Sequence, residues 1–112
     1  MTTKRTHDSQ LKTLVYKAPS TIHGTGLFAA QGFKDDSYIG TYAGPIARRN
    51  GRYVLWVTDE DGSETGVRGL NLLRYLNHAD KPNAYFDGVD LFAARRIKAD
   101  SEITFDYGWG EA

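Results

Sequence analysis

The chain has 112 residues, with 14 Lys and Arg balanced by 14 Asp and Glu, three His and no Cys. That length fits one domain with a modest core; the balanced charge gives no global basic field for direct nucleic-acid binding, and without cysteine there are no disulfides or thiolate metal sites, while three scattered histidines make a poor zinc set, so no metal is expected. No apolar run approaches the ~20 residues of a membrane-spanning helix and the polar start carries no signal-peptide core, so a soluble, cytoplasmic protein without membrane contact is expected, export into a host cell being compatible with the same features.

Residues 1–12 are polar and weakly patterned, and are expected to be a flexible segment, frayed or paired as an added strand, ahead of one domain over 13–112. "LVYKA" (14–18) reads as a short strand, and "HGTGLFAA" (23–30) as a glycine turn entering an apolar strand. "SYIGTYAGPI" (37–46) is strand-like but broken by Gly40, Gly44 and Pro45. "RYVLWVT" (52–58) is the clearest β segment, and the Asp61-Gly62 pair after it predicts a hairpin turn. "LNLLRYLN" (70–77) spaces its leucines for a helix of two turns at most. "YFDGVDLFAARRI" (85–97) reads as two strands around Asp87-Gly88, and "EITFDYG" (102–108) alternates Ile103, Phe105 and Tyr107 against Glu102, Thr104 and Asp106. Neither a linker nor an internal repeat is expected. The result is a mostly β chain of many short strands, one short helix and frequent glycine turns.

Three places carry candidate chemistry, each with a plainer alternative. His23-Gly24-Thr25-Gly26 is either a turn between strands or a backbone that lets a ligand approach closely; the third glycine and following helix of a dinucleotide fingerprint are missing. Asn77-His78 either caps the short helix and packs in a turn, or offers paired donors and acceptors to a ligand. Asp106-Tyr107 ends the last strand, where a phenol either completes the core face or orients an amine. The acidic run "TDEDGSE" (58–64) is either a solvated loop or a surface that steers a cationic substrate.

Taken in order, "GTGLFA" (24–29), "TYAG" (41–44), "RYLNHADKPNA" (74–84) and "AARRIKADSEITFDYG" (93–108) resemble the motifs of the SET domain family of protein-lysine methyltransferases. The resemblance spans about residues 14–109. It implies a β-clip fold of several small sheets with a C-terminal pseudoknot, and S-adenosylmethionine as methyl donor, leaving S-adenosylhomocysteine. The backbone at Thr25, Gly26 and Leu27 would cradle the methionine end, Arg74 and Tyr75 would shape the pocket, and Asn77 and His78 would hold the amino-acid and adenine parts. Tyr107 would stand at the point of methyl transfer, and Tyr42 would line the channel of the incoming lysine. Trp109, from its position, would close that channel or cover the adenine. The expected partner is a basic protein or histone-like tail presenting lysine; the rival class is a non-catalytic module that keeps the fold for peptide or cofactor binding. Three departures stand out: no cysteine-rich zinc segment after the core, so that a homodimer could complete the channel; Thr41 where Glu commonly precedes Tyr42; and Asp100-Ser101 in place of Gly-Glu.

Overall fold

Two β-hairpins, each continued by a sharp turn into a third strand, make the body of the fold. The computed structural model describes residues 8–51, 53–58 and 60–106. In chain order these are α1 (Asp8–Leu14), β1 (Val15–Pro19), β2 (Thr25–Ala29), β3 (Tyr38–Thr41), β4 (Ile46–Ala47), β5 (Val54–Thr58), β6 (Glu64–Arg68), a 3-10 turn (Leu72–Tyr75), β7 (Asn77–His78), β8 (Ala84–Asp87), β9 (Asp90–Ala93) and β10 (Glu102–Phe105). They form three sheets, ordered β1-β2-β10-β7, β3-β9-β8 and β4-β6-β5. All pairings between named strands are antiparallel except β7 with β10. The mostly β architecture of several small sheets agrees with the expected fold class, and no described helix is long and apolar enough to cross a membrane.

An internal repeat, which was not expected, organises the core. Residues 27–39, "LFAAQGFKDDSYI", recur as residues 91–103, "LFAARRIKADSEI", with eight of thirteen positions identical. The two copies bond to each other reciprocally, as units related by a two-fold would. Ala29 N donates to Ser101 O at 2.9 Å and Ala93 N to Ser37 O at 2.9 Å; Phe33 and Ile97 exchange bonds of 2.8 and 2.9 Å. The preceding strands match as well. Tyr16 stacks on Phe28 and Tyr85 on Phe92, both with centroids 5.6 Å apart. Tyr16 Oη donates to Asp100 and Tyr85 Oη to Asp36, each reaching the turn of the opposite copy. Asp36 and Asp100 hold φ of 63° and 68°, a left-handed conformation that Asp tolerates better than most residues. The third strand of each copy is exchanged: β10 pairs with β2, and β3 with β9. Leu27, Ile39, Leu91 and Ile103, corresponding positions of the copies, are all 0% exposed. Such burial contributes roughly 1.5–3 kcal/mol per side chain.

Two local expectations change. The helix expected over 70–77 is one 3-10 turn, Leu72–Tyr75. Asn71 is extended (φ −96°, ψ −175°), Leu76 leaves toward β7 (ψ 131°), and Leu70 faces solvent, so the leucine spacing does not define one buried helical face. The α-helix instead lies at Asp8–Leu14, running out of the segment expected to be frayed or extended (1–12) to the first residue of the strand expected over 14–18. Two turns are too short to hold alone; Leu11, 1% exposed, anchors them in the core. Gly40 leaves the room, since a Cβ there would stand 2.9 Å from Leu11 Cδ1.

Candidate active site

Asn77 joins three distant parts of the chain. Its backbone enters β7, in parallel register with Thr104 of β10, rather than capping a helix. Its side-chain Nδ2 donates to His23 O at 3.0 Å, lies 3.5 Å from Thr25 O, and donates to Glu102 Oε2 at 3.0 Å. The glycine turn and the last strand are thereby tied to one amide. Glu102 is fixed from the other side by Ser20 Oγ, 2.8 Å from both carboxylate oxygens. Gly26 is required by this arrangement, because a Cβ there would collide with Glu102 Oε2. Asn83 completes the frame: its Nδ2 donates to Glu102 O at 2.9 Å and its Oδ1 accepts from Thr104 N at 2.8 Å, as a neighbouring strand would. The Pro82-Asn83 pair, which reads in sequence as a loop terminator, therefore clamps β10.

A cavity of about 420 Å³ opens beside Asn77, within the range of small-molecule sites. It is lined by the 23–25 turn, by Tyr42, Tyr53, Val54 and Leu55, by residues 73–78, and by Phe105. Of the expected site residues, Thr25, Tyr42, Arg74, Tyr75, Asn77 and His78 meet here. Gly26 and Leu27 do not line it. The Leu27 side chain is wholly buried in the core and its backbone pairs with Lys17 and Ile103 of the flanking strands. Tyr107 and Trp109 lie outside the described residues.

The walls are aromatic and one cation is stacked within them. The Arg74 guanidinium lies 4.1 Å from the Tyr53 ring centroid and 5.5 Å from that of Tyr75, within cation–π range. Tyr42, 8% exposed, donates its hydroxyl to Tyr53 O at 2.6 Å and meets Phe86 edge to face at 5.8 Å. Phe86 meets Phe105 in the same way at 5.3 Å. His78 places Nδ1 3.6 Å from Asp106 Oδ1 and Nε2 3.8 Å from Asp80 Oδ1, ion pairs when the imidazole is protonated.

A second cavity, about 280 Å³, is lined by residues 55–58 of β5, Tyr85, Phe86, Gly88, Phe105 and Asp106. Leu55 and Phe105 line both cavities. In the β5–β6 turn the Ser63 hydroxyl and amide both donate to Asp61, which holds that carboxyl below its ordinary range. Sequence reading missed Glu102, Asn83 and Tyr53 as parts of the site. Glu102 and Asn83 were within the quoted motifs; their contacts are non-local bonds that no period or spacing displays.

Comparison with known proteins agrees with this geometry. The SET domain profile matches residues 24–108. The chain is 30% identical over 112 aligned residues to the histone-lysine N-methyltransferase MEDEA of Arabidopsis thaliana, covering 81% of this chain and 16% of that protein. It is 30% identical to the histone-lysine N-methyltransferase trithorax of Drosophila virilis (79% of this chain, 3% of that protein) and 29% identical to the histone-lysine N-methyltransferase trr of Drosophila melanogaster (83% and 5%). The chain thus spans a sixth or less of the length of these relatives. With the motifs, the strand pairing and the matched segment in accord, the chain belongs to the SET domain family.

Proposed function

We propose that the chain is a protein-lysine N-methyltransferase that uses S-adenosylmethionine and acts on a basic, histone-like protein. The observation that carries this is the Asn77 amide, which binds the 23–25 turn to β10 at the rim of a cavity large enough for a nucleoside-sized ligand. When bound, S-adenosylmethionine supplies an electrophilic methyl on a positively charged sulfur. The donor set fits such a group: Asn77, His78 and the carbonyls and amides of the turn offer polar partners for an amino acid and a base. Thr25, Arg74, Tyr75, Asn77 and His78 carry cofactor binding in this proposal, with Trp109 assigned as a cover. The parallel β7–β10 pair supports the pseudoknot implied by the family motifs.

The second cavity suits the lysine. Phe105 lines both spaces, with Tyr42 on the first and Phe86 on the second, so an aliphatic side chain passing between them would run along aromatic surface. The Tyr42 hydroxyl donates to Tyr53 O, which fixes the ring's position in the wall of the first cavity. Tyr107, two residues beyond Phe105, is assigned the second orienting hydroxyl. The nucleophile must be neutral, and deprotonating a lysine of ordinary pKa near 10.4 at pH 7 costs about 4–5 kcal/mol. Apolar walls and a neighbouring positive charge both lower that pKa. What remains for the protein is alignment and exclusion of water. The second copy expected to complete the channel finds a candidate edge in β4, where Ile46 is 74% exposed.

Incubation with methyl-labelled S-adenosylmethionine and histones tests the proposal. Label should enter lysine, and Tyr107→Phe should remove at least nine-tenths of it, about tenfold, while cofactor binding by calorimetry persists. Cofactor binding without transfer to any basic protein would favour the non-catalytic module; undiminished transfer in Tyr107→Phe would refute the assignment of that residue.

A further inference from the structure

We propose that Glu102 is a positioning residue that decides which ligand the cavity of about 420 Å³ accepts: it holds the Asn77 amide with its oxygen open to that cavity, and so selects a ligand that brings an ammonium there. The inference rests on the cofactor reading above. A side-chain amide has two nearly isosteric limbs, and turning it over would present N–H donors in place of an acceptor. Here the surroundings settle its direction. Nδ2 meets three acceptor oxygens, His23 O at 3.0 Å, Glu102 Oε2 at 3.0 Å and Thr25 O at 3.5 Å. The amide turned over would set Oδ1 against all three. Among the described residues nothing bonds to Oδ1. The buried side-chain polar atoms without a partner there belong to Asn71 and Arg74, so Asn77 Oδ1, unbonded in a half-buried residue, keeps accessible surface at the cavity that Asn77 lines.

Glu102 is the strongest of the three holds. It is the one charged acceptor, and such hydrogen bonds are roughly twice as strong as neutral ones. It is also fixed in place: Ser20 Oγ accepts from the amides of Ile22 at 2.9 Å and His23 at 3.3 Å, which leaves its proton for the carboxylate 2.8 Å away. His23 O, by contrast, belongs to an exposed turn. Glu102 does not line the cavity, so it acts through Asn77. A negative acceptor on Nδ2 polarises the amide and strengthens Oδ1 as an acceptor in turn. The group that fits this oxygen is a cationic donor, the α-ammonium of an amino acid; a carboxylate placed there would meet like charge.

The test is calorimetry on the whole chain with S-adenosylhomocysteine and with its deamino analogue, which keeps the carboxylate and lacks the ammonium. Glu102→Ala should weaken S-adenosylhomocysteine about tenfold, the size of a lost charge-assisted hydrogen bond, and leave the deamino analogue within about twofold. Glu102→Gln keeps an acceptor for Nδ2 and should recover most of the loss. Ser20→Ala, a smaller perturbation of the fold, should narrow the preference in the same direction by about threefold. A residue that merely supported the fold would weaken both ligands alike, and that result would overturn the proposal. So would an unchanged preference in Glu102→Ala and Ser20→Ala, or a Glu102→Gln variant no better than Glu102→Ala. Failure of the unaltered chain to bind either ligand would remove the cofactor reading and this inference with it, whereas equal losses for both ligands would remove the role of Glu102 alone.

Discussion

Replacing Asn77 by Asp swaps a donor for a charge at the point where the site is tied together. Asn77 Nδ2 lies 3.0 Å from Glu102 Oε2, and both residues are half-buried. Losing the hydrogen bond to the carboxylate costs roughly 1.5–3 kcal/mol, and the lost donation to the exposed His23 O adds little because water replaces it, while Ser20 still holds Glu102. The introduced carboxylate adds repulsion. Two unit charges at this separation interact by about 1.4 kcal/mol in water and about 5.5 kcal/mol at an effective dielectric of 20; for half-exposed groups about 3 kcal/mol is the reasonable middle. Asn77→Asp should therefore lose about 5 kcal/mol at neutral pH against about 2 for Asn77→Ala, or about 20 °C against about 8 °C in Tm. The extra 3 kcal/mol corresponds to about two pKa units, so the folded variant takes up a proton near pH 6 while its unfolded chain does so near 4. A raised folded pKa makes the penalty complete above about pH 6 and removes it as pH falls toward 4. Urea unfolding of both variants at about pH 7.5 and about pH 4.5 checks this. A gap between Asp and Ala that is absent at the higher pH, or equal at both, would refute the placement of the Asn77 side chain against Glu102.

Three further outcomes follow from named contacts. Gly69→Ala sets a methyl 2.5 Å from the Tyr42 hydroxyl and should cost about 1–3 kcal/mol by thermal melting, with a changed near-ultraviolet tyrosine signal; an unaltered melt would contradict the packing. Asn83→Ala leaves Thr104 N–H and Glu102 C=O without their side-chain partner and should lower stability by about 2–4 kcal/mol, whereas a loss below about 0.5 kcal/mol would show that the clamp on β10 is not needed. Tyr16 is held above its ordinary pKa of 10.0 first by its hydrogen bond to Asp100, and Tyr85 first by partial burial and then by its bond to Asp36. Their stabilising effect is complete below pH 10 and is lost as pH rises through the higher folded values; by phenolate absorbance, Asp100→Asn should bring Tyr16 back further than Asp36→Asn brings Tyr85.

Strands were legible where turn chemistry and β-branched runs agreed. Asp61-Gly62 and Asp87-Gly88 close hairpins, with Gly62 and Gly88 at φ of 88° and 63°. Leucine spacing misled over 70–77, because periodicity cannot register that Asn71 turns its amide to Thr41 O and forces the backbone extended. The helix at Asp8–Leu14 left no pattern, since its stability comes from one buried leucine and not from its own face. The site divides similarly. Ordered motifs brought Thr25, Tyr42, Arg74, Asn77 and His78 to one cavity. The bonds that fix them join residues 21 and 25 positions apart through side chains, which sequence spacing does not encode.

The repeat explains why the chemistry sits at one end of a nearly symmetric body. Positions identical in both copies build structure: the leucines and isoleucines fill the core, Ala29 and Ala93 face it, and the paired aspartates hold the turns. Two equivalent halves would give two equivalent outer edges. They are not equivalent, because β10 receives β7 while β3 ends its sheet. Where the first copy has Tyr38, the second has Glu102. Tyr38 pairs its hydroxyl with Thr41 Oγ1, which donates to Asp90, and so closes its own edge. Glu102 instead draws in Asn77 from outside the repeat, and with Asn77 come the glycine turn and the cavity. Divergence at one strand position therefore separates the half that is scaffold from the half that carries the site, and the residues worth testing for function are those at which the two copies differ.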